Sequence, residues 1–241
     1  MKAFLHPNRI PAPLSSAFLH DQNPTETWGA RLRCNAARAM YSCLPPSESH
    51  GCTLATGLGL CRGNQQLRSW GAARFFRGRR SRGVQARLLD GFRRAKAKVV
   101  YTLVTYQPGL PGVRPNSPLF RTLVESPTLL QGTPAVEVID DVAPRPDEPV
   151  IRGQAASGFD GTALDTILRV AGVDTLVLVG IATDVAVEST ARVASDRQYR
   201  TIVVSDACQA DSDEAHVRAL DVLRKWFGET PTADEVLAAL K

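Results

Sequence analysis

The chain has 241 residues, a formal charge of +5 and 44% hydrophobic residues, enough to bury the core of one domain. No apolar run reaches the roughly 18 residues of a membrane-spanning helix. The start is broken by Pro7, Arg9, Pro11 and Pro13, unlike the apolar core of a secretory signal, so we expect a cytoplasmic protein with no membrane partner. The charge is uneven: residues 1–82 carry 12 Lys or Arg against 3 Asp or Glu, and residues 83–241 carry 17 against 21. The larger part is therefore mildly acidic, and nucleic acid is not expected as its partner.

Residues 1–82 show no sustained period of 2 or 3.6. Leu54 to Cys61 is mildly apolar but interrupted by Gly57 and Gly59, and Phe75 to Gly83 reads FFRGRRSRG. The basic run fits a nucleic-acid arm or a targeting extension. It also fits a solvated tail, a divergent extension, or coding sequence read out of frame, and the abrupt return of ordinary patterning at Gly83 favours the last. Cys34, Cys43, Cys52 and Cys61 fall at even intervals, with Cys208 apart. None has the C-x₂-C spacing of a zinc site, and reduced thiols are expected.

From Gly83 the chain becomes regular. Val84, Leu88, Phe92 and Ala95 form the stripe of an amphipathic helix. VVYTLVTY, Val99 to Tyr106, is a strand, and Tyr106, Gln107 and Pro108 stand at its carboxyl end, where open α/β sheets place ligands. Residues 109–149 are rich in proline and read as long loops with one short helix around residues 119–124. A short strand over residues 149–152 follows. Thr162 with Asp165 starts a helix in the manner of a capping box, with Leu164, Ile167, Leu168 and Ala171 as its apolar stripe and Gly172 as its stop.

Thr175 to Val179 is a buried strand, and Gly180 breaks it. Thr183 or Asp184 caps the next helix. Such a strand–turn–helix corner points backbone N–H groups above the sheet, a suitable place for an anion or a developing oxyanion. TIVVSDA, Thr201 to Ala207, is a further strand. Asp211 or Ser212 opens a helix with His216, Leu220, Leu223 and Phe227 on one face, and Thr232 with Glu235 forms a capping box for the last helix. The order predicts an α/β fold, a three-layer α/β/α arrangement with a doubly wound, mostly parallel sheet.

The pattern G-I-A-T-D-V-A-V-E-S-T-A-R, Gly180 to Arg192, resembles the nucleophile motif of the isochorismatase-like hydrolases, which include nicotinamidases, ureidoacrylate and carbamoyl amidohydrolases, and isochorismatases proper. The resemblance covers residues 83–241 and leaves 1–82 as an atypical basic segment. It implies a nucleophilic cysteine at the position of Ala186, a residue that cannot attack a carbonyl. It also implies oxyanion donors at the N–H groups of Ala182 and Ala186, with a cis peptide between Ile181 and Ala182. The family's lysine follows its third strand, where strict register gives Gly153 and Arg152 is the neighbouring cation. The family's aspartate follows its first strand, and Asp21 in AFLHDQN is the nearest match. Tyr106, Gln107, Phe159 and Thr183 are candidate substrate contacts.

Loss of a catalytic nucleophile costs about 10⁶ in rate. The resemblance therefore implies a hydrolase for a small amide, ureido or vinyl-ether compound with impaired activity. Alternatives are an inactive relative that binds a ligand or oligomerises, and a nucleic-acid-binding arm on a passenger domain. A small molecule and a second copy of the chain are the partners expected. The scattered His6, His20, His50 and His216 have no ligand spacing and no phosphate-binding glycine loop is present, so no metal and no cofactor are expected.

Overall fold

The computed structural model describes residues 52–57 and 79–240. Among these the strands are β1 (Cys52–Gly57), β2 (Lys98–Val104), β3 (Val150–Gly153), β4 (Thr175–Ile181) and β5 (Arg200–Gln209). They form one sheet of order β3-β2-β1-β4-β5 in which every neighbouring pair is parallel. The chain winds outward from β1 through β2 to β3, then returns to the other side of β1 for β4 and β5. That reversal makes the carboxyl ends of β1 and β4 a topological switch point, where doubly wound sheets leave a crevice.

Strand β4 is buried throughout, which explains why its sequence runs apolar without alternation. Its side chains nevertheless divide by the pleat. Val177, Val179 and Ile181 enter one core with Leu88, Leu89 and Phe92 of helix α1 (Arg79–Arg94) and Val236 of α6 (Ala233–Ala239). Leu176 and Leu178 enter the other. There they meet Leu164 and Leu168 of α3 (Leu164–Val170), Ala191 and Ala194 of α4 (Glu188–Asp196), and Leu223 of α5 (Asp213–Trp226). Two helices on one face and three on the other give the expected three layers. A further short helix, α2 (Pro118–Glu125), lies in the connection from β2 to β3 and is capped by the Ser117 hydroxyl, which accepts the Phe120 N–H.

Sequence and structure differ at three places in these elements, with a fourth at the end of β4. Strand β1 lies inside the segment that shows no periodicity, and α1 begins at Arg79, before Gly83. The six residues CTLATG sit between two parallel neighbours, so they need no alternation, and they lack the Val and Ile that mark β4. Second, Ala95 is exposed and follows the end of α1; Leu89 takes the inward position instead. Third, no side chain caps α3 at its N-cap residue, Ala163. The Thr162 hydroxyl accepts the Leu164 N–H at 3.2 Å, while Asp165 turns away to accept from Tyr199 and to pair with Arg169 and Arg197. The capping box of α6 forms as the sequence implies, between Thr232 and Glu235.

Candidate active site

The end of β4 turns at Gly180, whose φ of +137° is open to glycine at little cost. The peptide between Ile181 and Ala182 is cis. A single π-helical turn, Thr183–Val187, then leads into α4. Within it the Ala182 carbonyl accepts N–H groups from Val185 at 3.2 Å and Val187 at 3.1 Å. In register, Gly180 stands beside Gly57 of β1 and Cys208 of β5, which puts this corner at the switch point.

Ala186 is 1% exposed, so a methyl group is packed where the resemblance implies a thiol. Its carbonyl accepts the Thr190 hydroxyl at 2.7 Å, and the same hydroxyl accepts the Gly158 N–H at 3.0 Å. Thr190 thus ties the loop after β3 to the first turn of α4. Thr162 tightens that loop by donating to the Gly158 carbonyl at 2.6 Å. Ala182, the other implied oxyanion position, is half-buried.

The remaining candidates occupy different settings. Thr183 is fully buried and caps nothing; its Oγ1 lies 2.8 Å from Nδ1 of His216 on α5. Tyr106 is also buried, with its hydroxyl donated to the Gln154 carbonyl at 2.9 Å. Burial pushes this phenol above its usual pKa, so it remains a neutral clasp between the ends of β2 and β3 rather than a ligand contact. Phe159 is 3% exposed, lies in the core shared with α3 and α4, and stacks on Tyr199; it is a core residue and not a pocket wall. Gln107 is exposed just beyond β2.

Arg152 is exposed on edge strand β3, whose Ile151 points to the core. At Gly153 an added Cβ would stand 2.9 Å from the Thr162 methyl, so a side chain in the strict lysine register requires Thr162 or the loop to shift. Asp21, the basic run as far as Gly78, and Cys34, Cys43 and Cys61 lie outside the described residues. Asp21 precedes β1, and no Asp or Glu occurs between Glu48 and Asp90, so the chain following β1 carries no acid up to the middle of α1.

Cys208 offers no replacement thiol. It is buried on β5, its Sγ faces the Leu178 carbonyl at 3.9 Å, and burial pushes its pKa up to about 12, which keeps it protonated and unreactive. A shallow cleft between β2 and the loop after β3 is lined by Leu103, Val104, Gly153, Ala156, Ser157 and Gly158. None of its lining residues belongs to the Ile181–Val187 corner, so the chemistry is better placed by topology than by this hollow. Among the described residues no His, Cys, Asp and Glu group is arranged to hold a metal, and no helix is long and apolar enough to cross a membrane.

Sequence reasoning places His216 on one face of its helix but gives it no part in the site, and it packs against the corner from α5. The signal available was its place one turn after Ser212, the residue whose side chain caps α5 by accepting the Ala215 N–H at 3.1 Å.

Comparison with known proteins agrees with this fold. A family model of the isochorismatase domain matches residues 67–235, which extends the likeness upstream of Gly83. The isochorismatase family protein YwoC of Bacillus subtilis is 31% identical over 161 residues, 64% of this chain and 80% of that protein. The ureidoacrylate amidohydrolase RutB of Acinetobacter baylyi is 42% identical over 93 residues, and the match spans only 38% of its length. The crystal structure of N-carbamoylsarcosine amidase from Thermoplasma acidophilum superposes with a TM-score of 0.61 at 29% identity, over 76% of this chain and 97% of that one.

Proposed function

The chain belongs to the isochorismatase family, and on that premise we propose that it is a small-molecule hydrolase domain whose covalent route is closed. In this reading a carboxamide or ureido carbonyl sits at the Ile181–Val187 corner, its oxygen toward the N–H groups of Ala182 and Ala186. The observation that carries the reading is the corner itself, a strand-to-helix turn at the switch point of a 3-2-1-4-5 sheet. The substrate class follows two similar proteins, named for ureidoacrylate and for N-carbamoylsarcosine.

With Ala186 at the turn, no acyl-enzyme forms. Hydrolysis then depends on direct attack by water on a carbonyl polarised by backbone donors, an arrangement that retains about 10³ to 10⁴ over the uncatalysed rate when a nucleophile is removed. The lack of an acid between β1 and Asp90 supports a second reading in which the domain binds such a compound without turning it over.

The test uses the full chain and Ala186→Cys with ureidoacrylate and N-carbamoylsarcosine, measuring binding by calorimetry and turnover by ammonia release. Binding by both proteins, with turnover raised at least about tenfold by the thiol, is the expected result. Binding without any rescue transfers the case to the second reading. Absence of binding by either protein sinks both.

A further inference from the structure

We propose that His216 is a positioning residue for the Ile181–Val187 corner, holding it in its binding form through the Thr183 hydroxyl while the imidazole is neutral. This rests on the reading of Ala182 and Ala186 as the donors for a bound carbonyl or carboxylate. The two partners are side chains from separate elements, Thr183 in the π-helical turn and His216 in the first turn of α5, joined at 2.8 Å. Thr183 is 0% exposed and its hydroxyl is already engaged by the imidazole. A buried hydroxyl needs a partner for its hydrogen, and a neutral imidazole with a free Nδ1 lone pair supplies one.

Thr183 lies directly after Ala182 and three residues before Ala186. Its carbonyl accepts the Glu188 N–H, and the carbonyl before it accepts from Val185 and Val187. Fixing the Thr183 side chain therefore fixes the turn on which both donors ride. Protonation of His216 reverses the bond. The Nδ1–H then donates to Oγ1, and the threonine hydrogen is left without its acceptor in a place closed to water, at the cost of roughly one hydrogen bond.

Burial opposes that protonation, while Asp213, the Ser205 backbone and Asp184 favour it, and the balance sets the imidazole below its usual value. Asp213 belongs to α5, Asp184 to the turn and Ser205 to β5. Of the other charges nearby, Glu188 is paired with Arg192 on α4 at 2.6 Å, and Asp206 of β5 accepts the Ala233 N–H at 2.7 Å.

The experiment is a nuclear magnetic resonance titration of the isotope-labelled full chain, with sodium formate as the carboxylate probe. In the wild type the His216 ring signals titrate below pH 6.5, and the Ala182 and Ala186 amide signals follow the same midpoint. Formate shifts those amides above the midpoint, and its apparent Kd rises about fivefold below it, the scale of one hydrogen bond. In Thr183→Val the ring still titrates but the amides and the formate affinity no longer follow. In His216→Gln, whose side-chain oxygen can accept the threonine hydroxyl, formate binding stays high across the range. If the wild-type amides and formate affinity ignore the His216 titration, the positioning role is overturned while the site stands. If formate moves neither amide at any pH, the reading of the corner as an oxyanion site fails, and this role fails with it.

Discussion

Arg93 and Glu148 meet fork to fork, Nε to Oε1 and Nη2 to Oε2, each at 2.7 Å. The pair joins the last turn of α1 to the chain two residues before β3, and its side chains are only 13% and 7% exposed. Arg93 also donates to the Ala143 carbonyl at 3.0 Å and to the Tyr101 hydroxyl at 3.3 Å, and Tyr101 donates to the Val142 carbonyl at 2.8 Å. The long proline-rich connection from β2 is thereby strapped to the helix layer.

Removing either partner leaves the other charge nearly buried. Arg93→Ala is expected to cost about 3 kcal/mol in chemical unfolding, with Glu148→Gln intermediate because it keeps part of the hydrogen bonding. The pair also sets an acid limit. Burial raises the Glu148 pKa, but bonds from Arg93 and the Arg145 N–H outweigh it and hold the carboxyl below 4.5. A carboxyl depressed in the folded state contributes stability above its unfolded pKa, and this is lost as pH falls through the folded value. The wild type should therefore lose stability below pH 4.5 more steeply than Glu148→Gln. Parallel curves for the two proteins would show that the pair carries no such linkage.

Phe159 separates a core role from a binding role. Stacked on Tyr199 within the core that also holds Leu164 and Leu168, with the Arg197 guanidinium 5.0 Å from the centre of its ring, it should cost about 3–5 kcal/mol when cut to alanine. Differential scanning calorimetry measures this directly. A Phe159→Ala protein that melts with the wild type but binds ligand poorly would return Phe159 to the pocket.

The sequence reveals much of this fold because its signals are local. The unbroken apolar run of β4, the Thr232–Glu235 box and the Gly180 break are each satisfied within a few residues of chain. What it conceals depends on residues that meet only after folding. Strand β1 carries no β-branched aliphatic residue and is identified by its two neighbours, not by its own pattern. Tyr106, Phe159 and Thr183 are plausible pocket residues by position along the chain, yet each is turned inward by a partner distant in sequence: Gln154, Tyr199 and His216. The family motif places the corner; it does not say which side chains face it.

Thr190 links that corner to the loop after β3, accepting from Gly158 and donating to the Ala186 carbonyl. Thr190→Val keeps the shape and removes both bonds in a buried place, so a loss of about 1–3 kcal/mol is expected. Hydrogen exchange should speed most at the Gly158 amide. Unchanged protection there would mean that the loop is held by packing alone.

Gly153 is the position where strict register with the family places a lysine, and the structure argues against restoring one. A Cβ at residue 153 would stand 2.9 Å from the Thr162 methyl. Thr162 cannot swing away freely, because its hydroxyl is held between the Gly158 carbonyl and the Leu164 N–H. Gly153→Lys is therefore expected to destabilise the protein by about 1–3 kcal/mol through overpacking. Adding Thr162→Ser, which keeps the hydroxyl and deletes the methyl, should recover most of that loss. Urea midpoints for the single and double variants measure the coupling. A single variant as stable as the wild type would mean that the loop shifts to admit the side chain, and the lysine register would then be open again.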